Sequence, residues 1–141
     1  LDLLISQQVS NADAAAVIDA VAGASRGAVA SLWGVNTAHA LTRLAGLGTS
    51  NGAAVQPLIL SLARAFDVVV RVGRGVCGES MQIVEIVAPK VSHTGAIEYR
   101  PLFVAEKKGD NPEFRAKPEA QKFLRSLGND GVEVPARLLK L

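Results

Sequence analysis

The run DVVVRV at residues 67–72 constrains this chain more than any other segment. Adjacent β-branched residues lose side-chain freedom in a helix and pack well on a pleated surface, so the run reads as a strand. It divides two patterns. Before it, apolar residues recur at helical spacing: Val17, Ile18 and Val21, then Leu41, Leu44 and Leu47, then Val55, Leu58, Ile59, Leu62 and Phe66. After it they alternate, as in MQIVEIVAP at 81–89.

The helical half resolves into units. Asn11 is expected to cap a first helix through Ala22, with Asp13 at the positive end of the dipole and Gly23 as the stop. Asn36 or Thr37 starts a second helix that closes at Gly48. A third covers 53–66, where Pro57 is tolerated only in the first turn. Short apolar runs at 1–9 and 27–33 read as strands preceding the first two helices. Beyond residue 72, GRGVCGES at 73–80 reads as a Gly-rich hairpin connection. Residues 96–106 read as a strand pair or bent strand with Pro101 at a break or edge. Residues 107–113 read as a polar loop, 118–127 as a short amphipathic helix, and PARLLKL as a terminal turn.

This order predicts an α/β fold in a single domain. Residues 1–66 suit a parallel sheet covered by helices, 67–106 a strand-rich antiparallel extension, and 107–141 a tail with a short helix. A length of 141 residues is enough for one core. A net charge of +2 spread along the chain argues for neither nucleic acid nor a membrane surface as partner. No apolar run approaches the ~20 residues that span a bilayer, so no transmembrane segment is expected. The lone cysteine, Cys77, excludes an internal disulfide framework and a cysteine-rich zinc site, and fits a reducing cytoplasm. His39 and His93 lie far apart without paired carboxylates, so no metal site is expected. The chain opens on Leu1, not methionine, as expected of a processed product or a fragment.

Two blocks carry more specific information. The stretch Asp19–Leu44, DAVAGASRGAVASLWGVNTAHALTRL, ends in Ala40-Leu41-Thr42-Arg43-Leu44. The far end holds AIEYRPLFVAE and then FRAKPEAQKFLRSLGNDGVEVPARLL. Together they resemble the type II/IV secretion ATPase family, in the branch that powers tight-adherence pili and archaellum-like filaments. The first block is similar to the region between Walker B and the histidine box, whose helix carries Ala-Leu-x-Arg-Leu. The second is similar to the family's Leu-Phe-x-x-Glu strand and its Pro-Ala-x-Leu close. The resemblance implies the C-terminal part of a RecA-like P-loop NTPase core. It implies ATP and magnesium as cofactors of the full-length protein, a homo-oligomeric ring, and an inner-membrane platform protein as partner. The implied location is cytoplasmic, peripheral at the inner membrane.

The departures from that family bear on chemistry. Phosphoryl transfer needs a phosphate cradle, a held metal and a group that positions the attacking water. The cradle GxxxxGK[ST] is absent, and in the family it lies upstream of the position matched by Leu1. Four matched positions inside the chain have changed. Gln8 stands at the Walker B glutamate, and an amide cannot accept a proton as a carboxylate does. Trp33 stands at the box histidine, exchanging a titratable ring for a donor-only indole. Ser10 stands at an arginine and Ser25 at the histidine of the preceding turn. Gln8 and Trp33 are therefore the candidate catalytic positions. Ser10, Ser25, Asn36 and Arg43 are the candidate cofactor-binding positions, with Asn36 ordering the preceding loop. Without the resemblance, Gln8 is a polar strand end and Trp33 a core or subunit-contact aromatic. Two functions follow: a motor component with little or no ATP hydrolysis, or a non-enzymatic adaptor that binds ring subunits or the platform.

Overall fold

The computed structural model describes residues 4–23, 28–49, 54–75, 80–108 and 111–139. Its elements mix helix and strand in the order β1 (Leu4–Ser6), α1 (Ala14–Gly23), β2 (Ala28–Ala30), α2 (Thr37–Gly48), α3 (Val55–Ala65), β3 (Val69–Arg74), β4 (Met81–Val91), β5 (Ile97–Lys108), β6 (Asn111–Ala116) and α4 (Pro118–Asn129). Two compact units emerge, Leu1–Asp67 with Pro89–Tyr99, and Val68–Ala88 with Arg100–Leu141. No helix among the described residues is long and apolar enough to cross a membrane.

In the first unit β1 and β2 pair in parallel, Leu4 opposite Ala28 and Ser6 opposite Ala30. The apolar stripes of the three helices meet in one cluster. Val17, Ile18 and Val21 of α1, Leu41, Leu44 and Ala45 of α2, and Ile59, Leu62 and Ala63 of α3 are all buried there. Val91, Ile97 and Tyr99, flanking the β4–β5 turn, pack against the same cluster. Gly48 of α2 leaves space for Ile18 of α1, since a Cβ there would lie 2.2 Å from Ile18 Cδ1.

Two helix starts contrast. Asn36 caps α2 as expected, its Oδ1 accepting the His39 N–H at 2.8 Å. Asn11 does not cap α1. A turn at 11–13 comes first: the Ser10 carbonyl accepts from the Asp13 and Ala14 N–H groups, and the Ser10 hydroxyl donates to Asp13 Oδ2 at 2.6 Å. The helix therefore begins at Ala14. Pro57 lies in the first turn of α3, where its missing N–H costs nothing.

The second unit is built on the antiparallel order β3-β4-β5-β6. Arg71 opposes Glu85 and Val72 opposes Ile83, so Val84 is the extra residue of a bulge. Residues 97–108 form one continuous strand, not a pair broken at Pro101. The β6 ladder begins at Phe103 opposite Ala116, so Pro101 lies beyond it and needs no N–H on that side. Residues 107–113, expected as a polar loop, hold the end of β5 and the start of β6. Their polar appearance has a simple cause. One face of β5–β6 carries Glu106, Lys108, Glu113 and Arg115 in ion pairs, with Lys117 reaching Glu106. The other carries Phe103 and Phe114, stacked at 5.7 Å.

Helix α4 closes this unit by burying Ala120 and Leu124, with Ala120 against Ala88 and Leu102. Pro118 starts it with a pre-set φ, and Gly131 in the left-handed region ends it, letting Val132 N–H bond the Leu127 carbonyl at 2.9 Å.

Candidate functional site

The parallel pair β1–β2 sends two chain segments side by side towards α1 and α2. After Ser6 the first segment runs Gln7-Gln8-Val9-Ser10. Gln8 has φ +56°, the left-handed region, and no other non-glycine among the described residues shares that sign. That conformation bends the chain so that Val9 enters the helical core, where it is buried. Two hydrogen bonds hold the bend. Gln8 N–H donates to the Ser31 hydroxyl at 2.9 Å, and Val9 N–H donates to the Ser31 carbonyl at 2.8 Å.

The second segment continues from β2 through Ser31 and Trp33 to the cap of α2. Trp33 is 70% exposed, so it is not a core aromatic. Its carbonyl accepts from Arg43 Nη1 at 3.2 Å, which ties the segment to the middle of α2. Gly34 follows because a Cβ there would come within 2.9 Å of Ala40 Cβ. Val35 N–H donates to His39 Nδ1 at 3.3 Å, and this geometry fits the tautomer with its proton on Nε2.

Between the two segments lies an open cleft of about 410 Å³. Gln8 and Ser10 line one wall, Trp33 and Arg43 the other, with Val9, Asn11 and Leu47 completing it. Four of the residues singled out from the sequence thus converge on one concavity. Asn36 is outside that lining, its side chain committed to capping α2. Ser25 lies outside the described residues, as does Cys77.

No protein-family model matches the chain, and no curated protein matches it significantly. An amide, a hydroxyl, an indole and a guanidinium can orient a polar ligand, stack on a planar group and hold an anion. None of the described lining residues is a carboxylate or imidazole able to take a proton at neutral pH. The donor set does not fit magnesium, which wants several hard oxygens, whereas here the Ser10 hydroxyl is engaged by Asp13 and Arg43 brings positive charge. The nearest carboxylate tied to the lining is Asp13, which accepts from the Ser10 hydroxyl.

Sequence reasoning missed Ser31. Serine at a strand end is commonplace, and its importance lies in a contact 23 residues away in sequence. The one available signal was its position two residues before Trp33 on the same extended segment.

Proposed function

We propose that this chain is the C-terminal part of a secretion-ATPase-like subunit of a bacterial secretion or pilus-assembly motor, with little or no ATP hydrolysis of its own. The reading takes the first unit as part of a RecA-like core. It takes the subunit as one member of a homo-oligomeric ring at the cytoplasmic face of the inner membrane, against a platform protein. One observation supports it most: Gln8, Ser10, Trp33 and Arg43, picked out because they match catalytic-region positions of that family, line a single cleft. The donor set of that cleft supports binding over turnover.

A melting experiment with and without MgATP tests the reading. A ligand specific to the folded state raises the midpoint by mass action, by an amount that grows with ligand concentration. A midpoint that stays fixed up to millimolar MgATP would sink nucleotide binding by this chain. In the full-length protein, Gln8→Glu with Trp33→His should raise ATP hydrolysis above the parent's.

The adaptor reading is favoured by a separate observation. Trp33 is accompanied by exposed Val29 and Val35, at 59% and 76%, which is unusual apolar exposure for one short segment. On that reading Trp33 anchors a contact with ring subunits or the platform. The fixed melting midpoint is then the expected result, and Trp33→Ala abolishes capture of the ring without changing stability.

A further inference from the structure

We propose that Ser31 is the positioning residue of the cleft, acting through Gln8. The inference rests on the cleft being the functional site, and it names what sets that site's shape.

A left-handed residue with a side chain persists only where neighbouring contacts over-determine it. At Gln8 the burial of Val9 is one such contact, and two hydrogen bonds come from a single residue. Ser31 offers two acceptors, its hydroxyl and its carbonyl, to two successive N–H groups, those of Gln8 and Val9. Fixing both N–H directions orients the two peptide planes that meet at the Gln8 Cα, and with them the torsions of Gln8. The carbonyl bond would survive any substitution at 31, since it is backbone. The hydroxyl bond requires serine or threonine. Ser31 therefore adds the one constraint that side-chain chemistry controls.

The same segment builds the opposite wall. Trp33 follows two residues after Ser31 and is pinned through its carbonyl by Arg43. Ser31 thus couples the Gln8 wall to the Trp33 wall. When its hydroxyl is lost, the Gln8 N–H turns to water, the bend relaxes to negative φ, and the amide leaves the cleft. Gln8 and Trp33 then no longer face a shared ligand.

The test uses the full chain with Ser31→Ala, Ser31→Thr, and Ser31→Ala combined with Gln8→Gly. The intraresidue amide–Hα NOE at residue 8, strong at positive φ and weak at negative φ, reports the sign of φ. Iodide quenching of fluorescence reports the far wall, because Trp33 is the single tryptophan. Urea unfolding is run alongside. Ser31→Ala should weaken the Gln8 NOE and change the quenching constant of the folded protein, while Ser31→Thr keeps both. Adding Gln8→Gly should recover much of the urea midpoint lost in Ser31→Ala, since glycine takes positive φ without a Cβ clash. A merely stabilising role would lower the urea midpoint and leave φ and quenching alone. An unchanged NOE and quenching constant in Ser31→Ala overturn the proposal, as does Ser31→Thr behaving like alanine. If Ser31→Ala does not fold, Ser31→Val, which matches threonine in shape and carries no acceptor, takes its place: a weakened NOE and a changed quenching constant support the tie, and unchanged values overturn it. None of these readouts involves nucleotide, so failure of MgATP to shift the melt and failure of the Ser31 tie are separate results.

Discussion

Gln8 occupies a backbone region that costs a side-chain-bearing residue roughly 1–2 kcal/mol, and more when the side chain is branched at Cβ. The two bonds to Ser31 offset that cost. Gln8→Ile should therefore lower stability by about 1–2 kcal/mol in urea unfolding, whereas Gln8→Asn, which tolerates this region, should be nearly neutral. Equal effects of the two would mean that φ at residue 8 is not the strained coordinate. Gly34 poses a different problem at the same site. Its would-be Cβ meets both Cβ and Cα of Ala40, at 2.9 and 3.1 Å, with no flexible side-chain end to give way. Gly34→Ala should push the Trp33 segment off the start of α2 and shift the tryptophan emission maximum. An unchanged spectrum would show that the loop absorbs a methyl group freely.

At the scale of elements, α2 depends on its cap. Asn36→Ala should cost about 1 kcal/mol by thermal melting, and Asn36→Asp should recover most of it, because the carboxylate still accepts the His39 N–H. The β5–β6 hairpin makes a prediction in pH. The hydrogen bond and charge of Lys117 hold the Glu106 carboxyl below its ordinary 4.5, and Arg115 does the same for Glu113. A folded-state pKa below the unfolded one means the stabilisation is complete above the unfolded carboxyl range. It is lost as pH falls from about 4.5 through the lowered values. Both groups are exposed, so added salt should weaken the effect. Stability curves of the parent and of Glu106→Gln should run parallel above that pH, the parent higher, and converge as pH falls below it. Parallel curves throughout would remove this pair from the account.

Elements also show what the sequence could reveal. The stripes of α2 and α3 were legible because burial on one face dictates a 3.6-residue recurrence, and Pro57 could stand only where the structure has it. Strand β6 was not legible. Its charges, Glu113 and Arg115, flank the single aromatic Phe114, and composition alone cannot distinguish charges in ion pairs from solvated ones. The start of α1 was misplaced for a local reason: the Ser10–Asp13 turn consumes three residues that also look like a cap. Within the cleft, Trp33 and Arg43 stood out by comparison with a family, while Ser31 did not. Its contribution depends on chain direction after β1, which no local pattern encodes.

For the molecule as a whole, two clusters of buried side chains carry the stability, with Leu44 and Leu62 in one and Leu102 in the other. Leu44→Ala and Leu102→Ala should each cost about 2–5 kcal/mol. The clusters share no residue, so the double variant should equal the sum within about 0.5 kcal/mol. The units are also interleaved along the chain, the first taking back Pro89–Tyr99 after the second has begun. A ribosome making this protein therefore cannot release a finished first unit when its helices emerge. The places for Val91, Ile97 and Tyr99 stand empty while about thirty more residues are added, at a rate of ~5–20 per second. That interval of a few seconds leaves an apolar surface open on the nascent chain, so cleavage or stalling just after residue 67 should yield an aggregating piece, not a small stable domain.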